Sequence, residues 1–177
     1  FDECLKVIEQ QLGLCQGLCE YAIYVKALIK RHHGEINESL QLFQAATMLN
    51  PNNAQNLKQV GRSLFLLGKH TDALELYSEA QKLSPEDWDI WYNKGLCYLS
   101  LKQYDMAEES LTRSNSIQRH ESTYIQLGKV YTSQEKYQEA IDIHLEALEY
   151  VLYCVLCCVV FSCIQLCINH FTNMKIS

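Results

Sequence analysis

Apolar and polar positions alternate along the first 150 residues at spacings of three and four, the period of helices that bury one face. A longer repeat is superimposed on this period. Ala27, Gly61, Gly95 and Gly128 stand 34, 34 and 33 residues apart. Four residues before each comes a large side chain: Ile23, Leu57, Trp91 and Tyr124. Twelve residues after each comes a small one: Ser39, Ala73, Ala107 and Ala140. Phe43, Tyr77, Leu111 and His144 follow at a further four, and Ala46, Ala80, Ser114 and Ala147 three beyond those. The pattern predicts helix pairs over 20–53, 54–87, 88–120 and 121–150. Residues 1–12 read as the second helix of a unit whose first helix is missing.

The residue types explain the pairing. A small side chain at the eighth place of a unit lets two helix backbones approach closely, and the small residue at the twentieth does the same from the opposite helix. Leucines and aromatics at helical spacing fill the remaining space. Gly34 and Gly68 mark the turn inside a unit, and Pro51 and Pro85 close two units, because proline lacks an N–H and restricts its predecessor. The third unit is one residue short, with Arg119-His120 in place of the proline turn. This 34-residue unit resembles the tetratricopeptide repeat, which implies an all-α, right-handed solenoid with concave and convex faces. Its packing positions are Gly61, Ala73, Ala80, Gly95, Ala107, Gly128 and Ala140.

Composition narrows the function. Net charge is −6 over 177 residues. All 21 acidic residues precede Val151, against 14 of the 15 lysines and arginines. That balance offers no basic stripe and no reason to expect a nucleic-acid partner. The chain has no initiator Met and no secretory signal, so it is expected to start inside a larger reading frame, in a reducing cytosolic setting.

More specific text lies at "QGLCEYAIYVKALI" (16–29), "NLKQVGRSLFLLGKH" (56–70), "CYLSLKQYDMAEESL" (97–111) and "RHESTYIQLGKVY" (119–131). Over residues 1–150 these segments resemble the Bardet-Biedl syndrome protein four family, repeat subunits of the ciliary coat complex called the BBSome. The resemblance implies a non-enzymatic adaptor in membrane-protein traffic to the primary cilium and in cilium assembly. It also implies other BBSome subunits and centriolar-satellite proteins as partners, at the centrosome and basal body. A generic cytosolic repeat scaffold or a tail-anchored cochaperone is the alternative.

On the first helix of each unit, the second, fifth, sixth and ninth places are expected to face the concave groove. Lys58, Arg62, Tyr92, Asn93, Leu96, Gln126 and Lys129 occupy such places. Lys58, Arg62 and Lys129 with Tyr92 between them suit an acidic extended or helical peptide. The carboxylate clamp that some repeats of this fold use on chaperone termini is matched only at Lys58 and Asn93, with Arg62, Ser122 and Gln126 at the other three places. No cofactor, metal or catalytic site is expected. Cys15 and Cys19 have the spacing of one helix face, and His32-His33 lie near a turn, but neither has a matching second pair. Glu108-Glu109 reads as a solvated acidic pair without a cleft, and His144 as a partly buried packing residue. No glycine-rich phosphate loop is present.

The pattern stops after Tyr150. From Val151 to Ile168 only Ser162 and Gln165 are polar apart from cysteines, and five of the nine cysteines lie there. The segment falls at the edge of the roughly 20 apolar residues of a membrane span, without flanking basic residues. The repeat breaks off before its closing turn, so residues 151–177 are expected to be a truncated or alternatively spliced tail. A membrane anchor and a helix covering the end of the solenoid are the other readings, and membrane contact is expected only for the anchor.

Overall fold

The computed structural model describes residues 2–153, and the remainder of the apolar tail lies outside the described residues. The described chain is helical. α1 spans Asp2–Leu14, α2 Glu20–His32, α3 Ile36–Leu49, α4 Ala54–Leu66 and α5 His70–Leu83. α6 spans Trp88–Ser100, α7 Tyr104–Ile117 and α8 Glu121–Ser133. A further helix, α9, runs over 137–153. Among the described residues, no helix is long and apolar enough to cross a membrane.

Helix ends follow one recipe. Asn53, Asp87 and His120 precede α4, α6 and α8, and each side chain accepts a hydrogen bond from the backbone N–H two residues on. Such caps satisfy amide donors that a first turn leaves unpaired. Asn50 and Ser84, the residues before the two prolines, leave the helical region at φ −140°, ψ 84° and φ −141°, ψ 77°. That is the restriction proline imposes on its predecessor. Inside every unit the first helix closes on a left-handed residue: Gly34, Gly68, Lys102 and Glu135 have φ of 83°, 77°, 58° and 60°. In each case the next N–H reaches back to a carbonyl five residues earlier, from Glu35 to Lys30, Lys69 to Leu64, Gln103 to Tyr98 and Lys136 to Tyr131. This is the Schellman closure. Glycine takes it without steric cost, whereas Lys102 and Glu135 do not.

Two compact units divide the chain, Phe1–Arg119 and His120–Ser177. In the first, α2 packs on α3, α4 on α5 and α6 on α7, and each pair stacks on the next. Phe43, Tyr77 and Leu111 are fully buried, as are Ala27, Ala46, Ala73, Ala80 and Ala107. A methyl group on Gly95 would lie 2.6 Å from Leu111 Cγ, and one on Gly61 3.0 Å from the Tyr77 ring. The first separation is closer than a real side chain adopts, and the second would require the ring to yield by a few tenths of an ångström.

In the second unit a methyl on Gly128 would overlap the His144 ring. His144 is nevertheless exposed overall, which corrects the expectation of a partly buried residue. Tyr124 remains fully buried and donates to Glu146 Oε1 at 3.0 Å.

Polar contacts at the two junctions of the first unit differ. Between its first and second pairs, the Glu20 carboxylate accepts from the side-chain amides of Asn50, Asn53 and Asn56 at 3.0, 2.7 and 2.7 Å. Burial pushes the Glu20 pKa up, but these three donors outweigh it and hold the group below its ordinary value. Between the second and third pairs the signs are reversed: the Lys58 ammonium on α4 meets Asp87 and Asp89 at the start of α6, at 2.9 and 3.0 Å.

Candidate functional site

The inner face of the first unit is built from its first helices, α2, α4 and α6, of which α4 and α6 touch directly. The structure gives Lys58 a role other than that of an available groove cation. It is 7% exposed and lies in the ion pair with both aspartates. Burial alone would lower its pKa, but the hydrogen bonds and charges of Asp87 and Asp89 outweigh that and raise it. Asn93 is drawn into the same network and donates to the Asp89 backbone oxygen at 2.6 Å and to Asp89 Oδ1 at 2.9 Å. Tyr92 and Leu96 are half-buried, and the Tyr92 ring lies 6.1 Å from that of Trp88. Arg62 is exposed. Gln126 and Lys129 belong to the second unit, where Gln126 is half-buried and Lys129 exposed on α8.

Register reasoning did not single out Arg31, at the twelfth place of its unit. The equivalent residues are Phe65, Leu99 and Thr132, so no recurring residue type marks the place. From the last turn of α2 its Nη2 donates to Gln59 Oε1 on α4 at 2.6 Å. The guanidinium lies 5.1 Å from the centre of the Phe43 ring, in cation–π range. Burial first, and then the charge of Arg62, push the Arg31 pKa below its ordinary value.

The remaining candidates fall apart in space. Cys15 follows the last residue of α1 and Cys19 caps α2, with Gln16 and Gly17 left-handed between them, so the two thiols do not share a helix face. Among the described residues no group of three His, Cys, Asp or Glu is placed to hold a metal ion. Cys4 and Cys15 are exposed, and Cys97 is buried in the core of α6. Glu108 and Glu109 lie on α7 around a shallow, open depression shared with Trp91, Asp105 and Arg113.

Among known proteins, the chain is 51% identical over 150 residues to BBSome complex member BBS4 of Bos taurus, and equally so to that of Mus musculus. Those matches take in 85% of this chain but only 29% of each relative's length. In structure it is similar to MamA 41-end from Desulfovibrio magneticus RS-1, with a TM-score of 0.76 at 16% identity and 84% of each chain covered. That likeness concerns the fold alone. Tetratricopeptide repeat family models match residues 24–87, 59–115 and 123–151. Since these matches run through more than half of the chain, it belongs to the tetratricopeptide-repeat family.

Proposed function

We propose that this chain is a non-enzymatic scaffold, an adaptor subunit of BBSome type that serves membrane-protein traffic to the primary cilium and cilium assembly. Its partners are other BBSome subunits and centriolar-satellite proteins. Its place is the cytoplasm around the centrosome, the centriolar satellites and the base of the cilium. One observation carries the reading: 51% identity over 150 residues to a BBSome complex member. A protein of the same fold shares only 16%, so the likeness extends well past the positions the fold dictates.

An extended or helical segment of a partner, taken up along the inner helices, is the mode of engagement this fold offers. Arg62, Tyr92 and Leu96 line that face in the first unit, and Gln126 and Lys129 hold the equivalent places in the second. Lys58 and Asn93 contribute by fixing the junction beneath. The test is affinity purification of the tagged chain from ciliated cells. Recovery of other BBSome subunits in near-equal amounts is the expected result. Recovery at background level from a folded chain would leave a generic repeat scaffold or cochaperone instead.

A further inference from the structure

Two arginines stand together on the inner face of the first unit without an acid between them. Gln59 and Arg62 are three residues apart on α4 and therefore share a face. Arg31, from the neighbouring first helix, is tied to that face through its 2.6 Å hydrogen bond to Gln59. Neither arginine forms an ion pair with a described carboxylate; the described ion pairs of the first unit involve Lys26, Lys30, Lys58 and Arg113. The arrangement is unusual in a chain with 21 acidic residues against 15 lysines and arginines.

Two polar groups there lack a partner. Arg31 Nη1 is buried with no partner, and so is the hydroxyl of fully buried Tyr77. Burial dominates the rise in the Tyr77 pKa, while Arg62 and Arg31 both oppose it, which places the phenol within their electrostatic reach. Asp89 is also close enough to act on that phenol, but its carboxylate is held by Lys58 and Asn93. An unpaired guanidinium removed from water is costly, and a carboxylate is the acceptor whose geometry and charge match it.

We propose that Arg31 and Arg62, positioned by Gln59, form a carboxylate-binding site on the inner face of the first two helix pairs. It takes an acidic residue of an extended partner segment. Arg62 is exposed and meets the carboxylate first, and half-buried Arg31 supplies the second charge. The site deepens the adaptor reading and rests on it only for the identity of the partner.

The test measures fluorescence anisotropy of labelled hexaglutamate amide on the full chain, with hexaglutamine bearing a free C-terminus as the second probe. Hexaglutamate amide should bind the wild type and weaken as salt is raised. Affinity should fall about tenfold in Arg62→Gln and in Arg31→Gln, and stay unchanged in Lys82→Gln. Preferential binding of hexaglutamine, lost in the same two variants, would also support the site and identify a chain-terminal carboxylate as the anion. Circular dichroism reports folding. Should Arg31→Gln unfold, exposed Arg62→Gln decides the matter alone. Equal affinity of wild type and folded Arg62→Gln for both probes would overturn the proposal. Arginine-dependent peptide binding in a chain that recovers no BBSome subunits would overturn the adaptor reading and leave the site standing.

Discussion

At the scale of single residues, the eighth place of each unit is where one carbon atom decides the packing. At Gly95 the space for a methyl is already taken by the branch of buried Leu111. Gly95→Ala should therefore cost about 1–3 kcal/mol of overpacking, against a gain of roughly 1 kcal/mol in helix propensity. Gly61→Ala meets a ring at 3.0 Å and should fall within about 1 kcal/mol of wild type; urea denaturation of the two variants orders them. Cys97 gives a second handle. Burial pushes its thiol up to about 12 from 9.0. Its contribution to stability is present below pH 9 and is lost as pH rises toward 12, at roughly 1.4 kcal/mol per pH unit. Cys97→Ala should flatten that decline, and a thiol reagent at neutral pH should label Cys4 and Cys15 while sparing Cys97. The sequence made the small residues legible because they recur at a fixed interval. The exposure of His144 was not legible, because it occupies the place that Phe43, Tyr77 and Leu111 fill while fully buried.

At the scale of helices, the same Schellman closure ends the first helix of all four units, yet only Gly34 and Gly68 announced it in the sequence. Lys102 and Glu135 hold the left-handed conformation because the reach-back hydrogen bonds on either side leave the turn no alternative. Lys102→Gly should relieve that strain and stabilise the chain by about 1 kcal/mol, read as a rise in thermal midpoint. The ion pair of Lys58 was hidden from the sequence for a related reason. Register assigns a side chain to a face but does not say which neighbouring loop reaches it, and here the Asp87 cap of α6 does. Lys58→Ala strands two aspartates and should cost on the order of 3 kcal/mol. Lys58→Met combined with Asp87→Asn and Asp89→Asn should recover most of that loss, since no buried charge is left uncompensated. Equal stability of the single and triple variants, measured by chemical denaturation, would count against this account of the junction.

At the scale of the whole molecule, period and composition were enough to read an all-α repeat fold, because stacked helix pairs depend mainly on what recurs. Binding depends on what does not recur. Arg31 sits at a place occupied elsewhere by Phe65, Leu99 and Thr132, so its pairing with Gln59 and Arg62 emerges only once α2 and α4 lie side by side. The junction chemistry carries a further consequence. One seam is an acid gripped by three amides and the next is a cation gripped by two acids. The two seams are thus keyed differently, by Asn56 of the following module in one and by Asp89 in the other. A gene in which modules 54–87 and 88–120 trade places keeps its composition and helical period almost intact. It should nonetheless melt at lower temperature than the natural order, because Glu20 would keep Asn50 and Asn53 but meet Ile90 in place of Asn56, and Lys58 would lose Asp89.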